Sequence, residues 1–396
     1  MIKALRAGGI ALVMACTATS TLADAPSIHL SGFGTLGMVA VNQSDIRFIR
    51  VGLDHPGAES PDFGPDTVLG IQGNVVFTPR TSMVVQLLSR ESPQGDYTPR
   101  ASLAFVSHSL APELTVRAGR LRIPFFMLSD SLDINYANPW IRPPVEVYGL
   151  NPFSDLDGID LLFRTRIANA DLEIHPYLGR SYIPIHRDGK ARLDRLMGVN
   201  LTLTTERFTL FVGHGESDLT LKWSDANFSL LTAIVPTEVN RELSGNDGYA
   251  TFSSAGFQWD DGRWLLVGEY ARRVNRRYAN SAHGWHFTVG HRFENVMPYV
   301  TLARQTEDRP ITTASVPAPL EPYLNGFLAS RNMAQHSITL GARWDVRRDA
   351  ALKVELSHTQ TRNDSWGSYF PRGNPAITDP RDRAINMLGV ALDVTF

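Results

Sequence analysis

The sequence predicts an all-β protein, a sixteen-stranded antiparallel barrel that spans a membrane. Segments of about nine to thirteen residues with alternating apolar and polar side chains recur from Ser27 onward, as expected of strands whose successive side chains point to opposite faces. Tight and long connections alternate between these segments. The chain also ends on an aromatic residue, Phe396, directly after an alternating segment. These three features favour a barrel with short turns at one end and long loops at the other.

The last predicted strand, residues 384–396, has one mostly apolar face and one face of small or polar side chains. The first face carries Asn386, Leu388, Val390, Leu392, Val394 and Phe396, and the second carries Met387, Gly389, Ala391, Asp393 and Thr395. A terminal aromatic on such a strand resembles the closing strand of Gram-negative outer-membrane barrels, which the assembly machinery reads. This resemblance implies that Phe396 is an assembly signal and that the barrel assembly machinery is a partner.

The N-terminus has the layout of a secretory signal peptide. Lys3 and Arg6 precede an apolar stretch over residues 7–15, and small residues follow with possible cleavage sites after Ala23 or Ala25. We expect residues 1–25 to be cleaved and residues 26–396 to form a single barrel domain. Cys16 is the only cysteine, so the mature chain is expected to contain no disulfide. No later apolar run approaches the eighteen residues of a helical span.

The charge balance of the chain excludes some partners. The whole sequence has 38 basic and 40 acidic residues, a near-balance that argues against nucleic acid. After cleavage the lysines that remain are Lys190, Lys222 and Lys353, so arginine supplies nearly all the positive charge. Arginine stays charged and presents a rigid set of donors, which suits a fixed field along a pathway. Genomic composition bias explains the same excess equally well.

Counting the connections gives the number of strands. Seven tight turns are predicted at residues 78–81, 110–113, 168–170, 204–206, 260–262, 294–296 and 346–349. Eight long loops are predicted at residues 42–65, 91–97, 123–156, 183–191, 215–247, 274–281, 307–333 and 363–383. This alternation predicts sixteen strands, short periplasmic turns and long extracellular loops. We expect one helix, over residues 225–243 in the fifth loop.

A closed barrel removes the unpaired edges that lipid does not tolerate, and sixteen strands leave a water channel inside. Side chains on the polar faces of the strands should line that channel. Arg343 belongs to such a face, opposite Leu340 and Trp344. Lys353 and Glu355 belong to another, opposite Leu352 and Leu356. We therefore predict that Arg343, Lys353 and Glu355 face the lumen.

The third long loop, residues 123–156, is the candidate constriction of the channel. It is rich in aromatic and apolar residues, and Pro139, Pro143 and Pro144 restrict its backbone, so it should pack against the inside of the wall. The candidate constriction residues are Arg117, Arg120, Arg122, Asp130, Asp133, Tyr136, Arg142, Glu146, Asp155, Asp157, Arg164 and Arg166. Acidic groups opposite arginines would create a transverse field. Alternatively, the same charges pair and pin the loop to the wall, and both readings remain open.

The segment AGRLRIPFFMLSDSLDINYANPWIRPPVEVYGL, residues 118–150, resembles a signature of proteobacterial outer-membrane porins. The first two predicted strands, with SGFGTLG at 31–37 and DTVLGIQ at 66–72, look similar to the same family. The resemblance implies a homotrimer in the outer membrane, with the third loop folded inward and with general or weak selectivity. It names no particular solute.

The sequence therefore predicts an outer-membrane porin for passive diffusion of small hydrophilic solutes and ions, with outer-membrane lipid and lipopolysaccharide as partners. The first alternative is a specific channel for a small anion such as phosphate or an organic acid, and a less favoured one is an outer-membrane hydrolase. No G-x-S-x-G nucleophile elbow supports an enzyme. His283 and His286 lack a third ligand at suitable spacing, so we expect no metal, and no cofactor is expected.

Overall fold

Eighteen strands make up most of the computed structural model, which describes residues 26–52, 54, 60–185, 189–222, 226–372 and 381–396. They are β1 (Ser27–Val41), β2 (Ile46–Phe48), β3 (Val68–Thr78), β4 (Thr81–Arg90), β5 (Arg100–Ala111), β6 (Leu114–Arg122), β7 (Asp155–Ile167), β8 (Ala170–Ile185), β9 (Gly189–Thr204), β10 (Phe208–Lys222), β11 (Gly245–Asp260), β12 (Trp264–Asn275), β13 (Ser281–His291), β14 (Val296–Arg309), β15 (Gln335–Arg347), β16 (Ala350–Thr361), β17 (Tyr369–Pro371) and β18 (Ala384–Thr395). Sixteen of them form the barrel wall, while β2 and β17 lie in loops and pair with each other. The predicted signal peptide lies outside the described residues.

The wall closes through an antiparallel pair between β1 and β18. Its register runs from Phe33 opposite Thr395 to Val41 opposite Met387. The Phe396 amide donates to the Gly32 carbonyl at 2.9 Å, and the Gly32 amide donates back at 2.7 Å. A Cβ on residue 32 would overlap the Phe396 ring, so glycine allows this close approach. The predicted sixteen-stranded antiparallel barrel is confirmed.

The strands separate an apolar outer face from a more polar inner face, as the alternation predicted. On β16, Leu356 is 58% exposed, whereas Lys353 and Glu355 are buried on the opposite face. On β18, Leu388 and Leu392 face outward and Asp393 is fully buried inside. Because exposed aliphatic and aromatic side chains recur around the outer wall, the barrel presents the surface that lipid requires.

Short turns and long loops lie at opposite ends of the barrel. The turns between consecutive strands cover residues 79–80, 112–113, 168–169, 205–207, 261–263, 292–295 and 348–349. At the other end β7 to β14 extend further than predicted, because polar outward residues there still alternate with buried inward ones, whereas β3 begins at Val68 and β5 at Arg100, each two residues later than predicted. The fifth loop, for example, starts after Lys222 rather than at Gly215. The third loop covers residues 123–154, since β7 already begins at Asp155.

The expectation of one helix over residues 225–243 was wrong. The fifth loop contains two, α2 (Ala226–Ile234) and α3 (Thr237–Leu243), because Pro236 cannot continue a helix and takes the N-cap position of α3. The structure also contains α1 (Val145–Tyr148) in the third loop and α4 (Glu321–Ala329) in the seventh. Within the described residues, no helix has both the length and the apolar character needed to cross a membrane.

The long loops pack against one another above the barrel. Helices α2, α3 and α4 share an apolar cluster that includes Phe228, Leu243 and Phe327. The pairing of β2 with β17 connects the first loop to the eighth, over a second cluster that contains Trp366 and Tyr369. The loops therefore form a packed cap at this end of the barrel.

Candidate functional site

The third loop, residues 123–154, contacts the inner face of the wall along most of its length. Ser254 on β11 donates to the Phe125 carbonyl at 2.6 Å. Glu269 on β12 accepts hydrogen bonds from the Met127 amide at 2.9 Å and from the Tyr148 hydroxyl at 2.6 Å. These contacts satisfy polar groups of the loop that would otherwise be buried without partners.

The middle of the loop is held by strands further around the barrel. The Trp140 indole donates to Thr288 at 3.1 Å and to Thr301 at 3.0 Å, on β13 and β14. Glu355 on β16 accepts the Ile141 amide at 3.0 Å. Lys353, also on β16, donates to the Trp140 carbonyl at 2.8 Å and pairs with Asp393 at 2.8 Å. Lys353 and Glu355 thus lie on the inner face, against the loop.

The loop also reaches the short-turn end of the barrel. Arg343 on β15 donates to the Tyr136 carbonyl at 2.6 Å, and its guanidinium lies 4.8 Å from the centre of the Tyr136 ring. The Tyr136 hydroxyl donates to the Arg348 carbonyl at 2.8 Å, in the turn between β15 and β16. The loop therefore descends through the lumen from the long-loop end to the turns.

Two charged side chains of the loop are buried among neutral or opposite partners. Arg142 pairs with Asp66, through an Nε contact of 2.6 Å, and lies 3.9 Å from Glu355. Glu146 in α1 accepts hydrogen bonds from Gln335 at 2.8 Å and Ser337 at 2.6 Å on β15. These contacts match the pinning alternative of the sequence analysis for these two residues.

The opposite side of the lumen, formed by β3–β8, is arranged differently. Asp133 on the third loop forms ion pairs with two arginines of this wall, Arg90 on β4 at 2.5 Å and Arg122 on β6 at 2.7 Å. Among the wall residues closer to the turns, inward side chains remain partly exposed. They include Asn74, Ser107, Thr115 and Arg117. Solvent therefore reaches this side of the lumen, between the loop and β3–β8.

Arg117 and Asp160 form the main charged pair on that solvent-accessible wall. The Arg117 Nε contacts Asp160 at 2.8 Å, and His175 on β8 lies 2.8 Å from the same carboxylate. On the loop, Asp130 is exposed and has no ion-pair partner among the described residues. The lumen thus places a free carboxylate on the loop opposite a wall that carries a paired arginine. Such a gap can sort small solutes by size and weakly by charge.

Asp133 stays ionised despite its burial. Burial opposes its charged form, but the positive charges of Arg122, Arg100 and Arg50 outweigh that effect and hold the pKa of Asp133 below its ordinary value. The carboxylate is therefore charged at neutral pH and carries two arginine contacts. It connects the third loop to the β4 and β6 wall electrostatically.

Not all the candidate residues come together at this gap. Arg120 pairs with Asp157 at 2.7 Å, but the register puts both on the face of Ile159 and Leu178, which are exposed on the outer wall. The other candidates lie at the two ends of the barrel. Asp155 pairs with Arg100 near the long loops, whereas Arg164 with Glu173 and Arg166 with Asp171 lie beside the 168–169 turn.

Several charged residues of the lumen were absent from the sequence-based set. Arg50, Arg90 and Arg100 line a cavity above the gap, of about 1320 Å³ including space open to solvent, together with Asp54, Glu91 and Asp133. Asp66 and Asp160 hold Arg142 and Arg117. The alternation of β4 contained a usable signal for Arg90, because it falls on the same face as Gln86 and Leu88. Among the described residues, no group of three His, Cys, Asp or Glu side chains could hold a metal ion.

Comparisons with known proteins identify the fold. No model of a known protein family matches the sequence. No curated protein matches it either. Solved structures do: an anion-selective porin from Comamonas acidovorans is 12% identical with a TM-score of 0.56, covering 94% of this chain and 100% of its own. The outer membrane channel DcaP of Acinetobacter baumannii is 11% identical with a TM-score of 0.55, covering 94% and 97%.

A third structure, the outer membrane protein OmpT of Vibrio cholerae in a trimer form, is 10% identical with a TM-score of 0.54, covering 94% of this chain and all of its own. At such identities the likeness concerns the fold. A closed barrel of sixteen strands with these neighbours points to the Gram-negative outer membrane. This chain has the fold of the Gram-negative outer-membrane porins.

Proposed function

We propose that this protein is an outer-membrane porin for passive diffusion of small hydrophilic solutes and ions. The observation that carries the proposal is the one-sided packing of the third loop. It covers the inner faces of β11–β16, while inward polar side chains nearer the turns on β3, β5 and β6, such as Asn74, Ser107 and Arg117, stay partly exposed. A protein without a transport role would gain nothing from keeping such a polar, hydrated gap inside a lipid-facing barrel.

The neighbours named in the comparisons support this role and the absence of an enzymatic one, since one is a porin and one a channel. We further propose a homotrimer, which the trimer form of one neighbour supports. The proposed partners are outer-membrane lipid and lipopolysaccharide at the outer wall, and the barrel assembly machinery at Phe396. The proposed constriction consists of Asp130 and Asp133 on the loop, with Arg90, Arg117 and Arg122 on the wall.

Planar-bilayer recording of the refolded protein tests the pore. We expect stepwise increases in current whose size scales with bulk salt conductivity, because the gap is filled with water. The same amount of protein added without refolding is the control and should give no steps. If the folded barrel also gives no steps, it does not conduct and the proposal fails.

A channel specific for a small anion is the second candidate. The arginines of the 1320 Å³ cavity favour it, since Arg50, Arg90 and Arg100 converge on one space. Neighbouring Asp54, Glu91 and Asp133 line the same cavity, however, so its formal charge is balanced. A specific channel predicts saturable block of chloride current by phosphate, whereas a general porin shows no saturation over the same range.

An outer-membrane hydrolase is less well supported. His214 and Ser253 lie side by side on β10 and β11, with Nδ1 and Oγ 2.8 Å apart. No described carboxylate hydrogen-bonds to His214, so the pair lacks the third group that orients a catalytic histidine. Hydrolysis of a lipid ester that disappears in Ser253→Ala would support an enzyme, and equal rates in both proteins would exclude this pair.

A further inference from the structure

An apolar cavity lies beside the proposed pore, at the long-loop end of the barrel. It holds about 900 Å³ of empty space, part of it open to solvent, and it is bounded by the third loop and by strands β9–β12. Leu193, Leu196, Leu219, Leu221 and Phe252 supply most of the wall on the strand side. Phe125 and Phe153 supply the loop side. The charged cavity above the gap adjoins it, since Val51, Gly149, Asn151 and Pro152 line both.

The composition of this wall is unusual for a water-filled pathway. Apolar surface left in contact with water costs about 25 cal/mol per Å². A pore that served only ions and sugars would be expected to fill this space with polar or larger side chains. Instead, the inward position on β11 at which a larger side chain would narrow the space carries a small residue, Ala250. The cavity is therefore built to receive an apolar group.

One edge of the cavity carries an arginine whose partners are neutral. Arg273 donates to the Leu150 carbonyl at 2.6 Å, to the Asn280 side-chain oxygen at 2.6 Å and to the Asn280 carbonyl at 3.2 Å. No ion pair joins Arg273 to a carboxylate within the described part of the chain. Glu307 is separated from it by Asn280, whose amide donates to that carboxylate at 2.7 Å. Three neutral acceptors fix the guanidinium in place and leave its charge available to an anion.

We propose that the cavity is a binding site for small amphipathic carboxylates, such as aromatic or short aliphatic acids. The apolar body occupies the space between Phe252, Leu219 and Leu193, and the carboxylate pairs with Arg273. The proposal deepens the proposed pore function, on which it rests, by naming a class of solute that is held before it crosses. Because the site opens onto the charged cavity above the gap, an occupied site should hinder ion flow.

The test uses the folded full-length barrel in a planar bilayer, with phenylacetate as the probe. We expect phenylacetate to interrupt the current reversibly, with a block that saturates. Acetate has the charge without the apolar body, and benzyl alcohol has the body without the charge. Both should require at least about tenfold higher concentrations, which corresponds to about 1.4 kcal/mol of binding. Equal block by all three probes would overturn the proposal.

A pair of matched variants locates the site. Ala250→Phe fills the cavity from the inner face of β11, and we expect it to weaken phenylacetate block at least about tenfold, or about 1.4 kcal/mol. Ala255→Phe adds the same ring to the outer, exposed face of that strand and should leave the block unchanged. Arg273→Gln should weaken phenylacetate binding but not benzyl alcohol binding. Unchanged block in Ala250→Phe would place the binding elsewhere.

Equilibrium dialysis of radiolabelled phenylacetate against the barrel in detergent separates the two proposals. Binding that Ala250→Phe removes and Ala255→Phe retains supports the site even if no current steps are seen, in which case only the pore function fails. Current steps without saturable binding leave the pore function intact and refute the site. Circular dichroism of both variants shows whether each has folded.

Discussion

At the scale of single residues, Asp133 gives a pH dependence whose sign follows from its pKa. Arg122, Arg100 and Arg50 hold that pKa below the ordinary value of 3.8, so the folded protein favours the ionised form more than the unfolded chain does. The contribution of Asp133 to stability is complete above about pH 4 and is lost as the pH falls through the lowered folded value. Acid should therefore release this side of the third loop.

A spin label at Ser131→Cys can measure that release, since the only native cysteine lies in the predicted signal peptide. We expect the label to be immobile at neutral pH and to become mobile only when the pH falls below the lowered pKa of Asp133. Asp133→Asn leaves Arg90 and Arg122 without their shared carboxylate, so the label should be mobile at every pH, at a cost of roughly 3 kcal/mol in loop docking. Asp130→Asn, which removes no ion pair, is the control. A pH response that persists in Asp133→Asn would contradict the assignment.

The sequence identified charged residues of the third loop correctly, but it did not identify which face of a strand each charged wall residue occupies. It selected Asp133, Arg142 and Glu146 because they lie in the third loop, whose aromatic residues predict packing against the inner face of the wall. It grouped Arg120 and Asp157 with them, although the strand register turns both to the outer wall. One residue of offset decides the face of a strand, and near the long-loop end both faces carry charge. The alternation of apolar and polar residues therefore no longer distinguishes the inner from the outer face of a strand beyond the membrane.

At the scale of the strand, Leu161 on β7 tests which face meets lipid. Its neighbours Ile159 and Phe163 share the exposed outer face, while Asp160 is buried on the inner one. Leu161→Arg should cost about 2–4 kcal/mol of folding free energy if the side chain sits near the bilayer centre. Thr165→Arg on the same face, four residues closer to the 168–169 turn, should cost at most about 1 kcal/mol. Urea-induced unfolding in lipid vesicles measures both, and equal costs would be inconsistent with the register.

The helices show where element prediction from sequence reached its limit. The strand count was correct because each wall strand repeats the same two-residue period between turn residues. The fifth loop was read as one helix, although Pro236 divides it, and α4 was missed. Both α2 and α4 are stabilised mainly by the cluster that buries Phe228 against Phe327, a contact between two distant loops. Local patterns carry no information on such a partner.

At the scale of the whole molecule, Phe396 extends the β1–β18 pairing that closes the barrel. The Phe396 backbone exchanges two hydrogen bonds with Gly32, and its ring lies exposed on the outer wall over that glycine. Phe396→Ser keeps the backbone pair but removes the aromatic group that the assembly machinery is predicted to read. We expect slower insertion in cells, with little change in the stability of barrels that have folded. Pulse-chase measurement of the heat-modifiable form follows insertion.

Phe293→Ser is the matched control for that experiment. Phe293 is another exposed aromatic at the short-turn end, in the 292–295 turn, and it plays no part in closure. Its substitution should leave the insertion rate unchanged. If both variants insert equally slowly, the effect comes from interfacial aromatics in general and Phe396 carries no special signal.

The contact between Tyr136 and the Arg348 carbonyl restricts how this barrel can be re-engineered. The third loop starts at one end of the cylinder, yet one of its side chains is fastened to a turn at the other. Lengthening that turn, for example to insert an epitope tag, would move the Arg348 carbonyl and tilt the segment of the third loop that contacts it. A change at the short-turn end would then alter conductance, so tags belong in turns that the loop does not touch, such as 168–169.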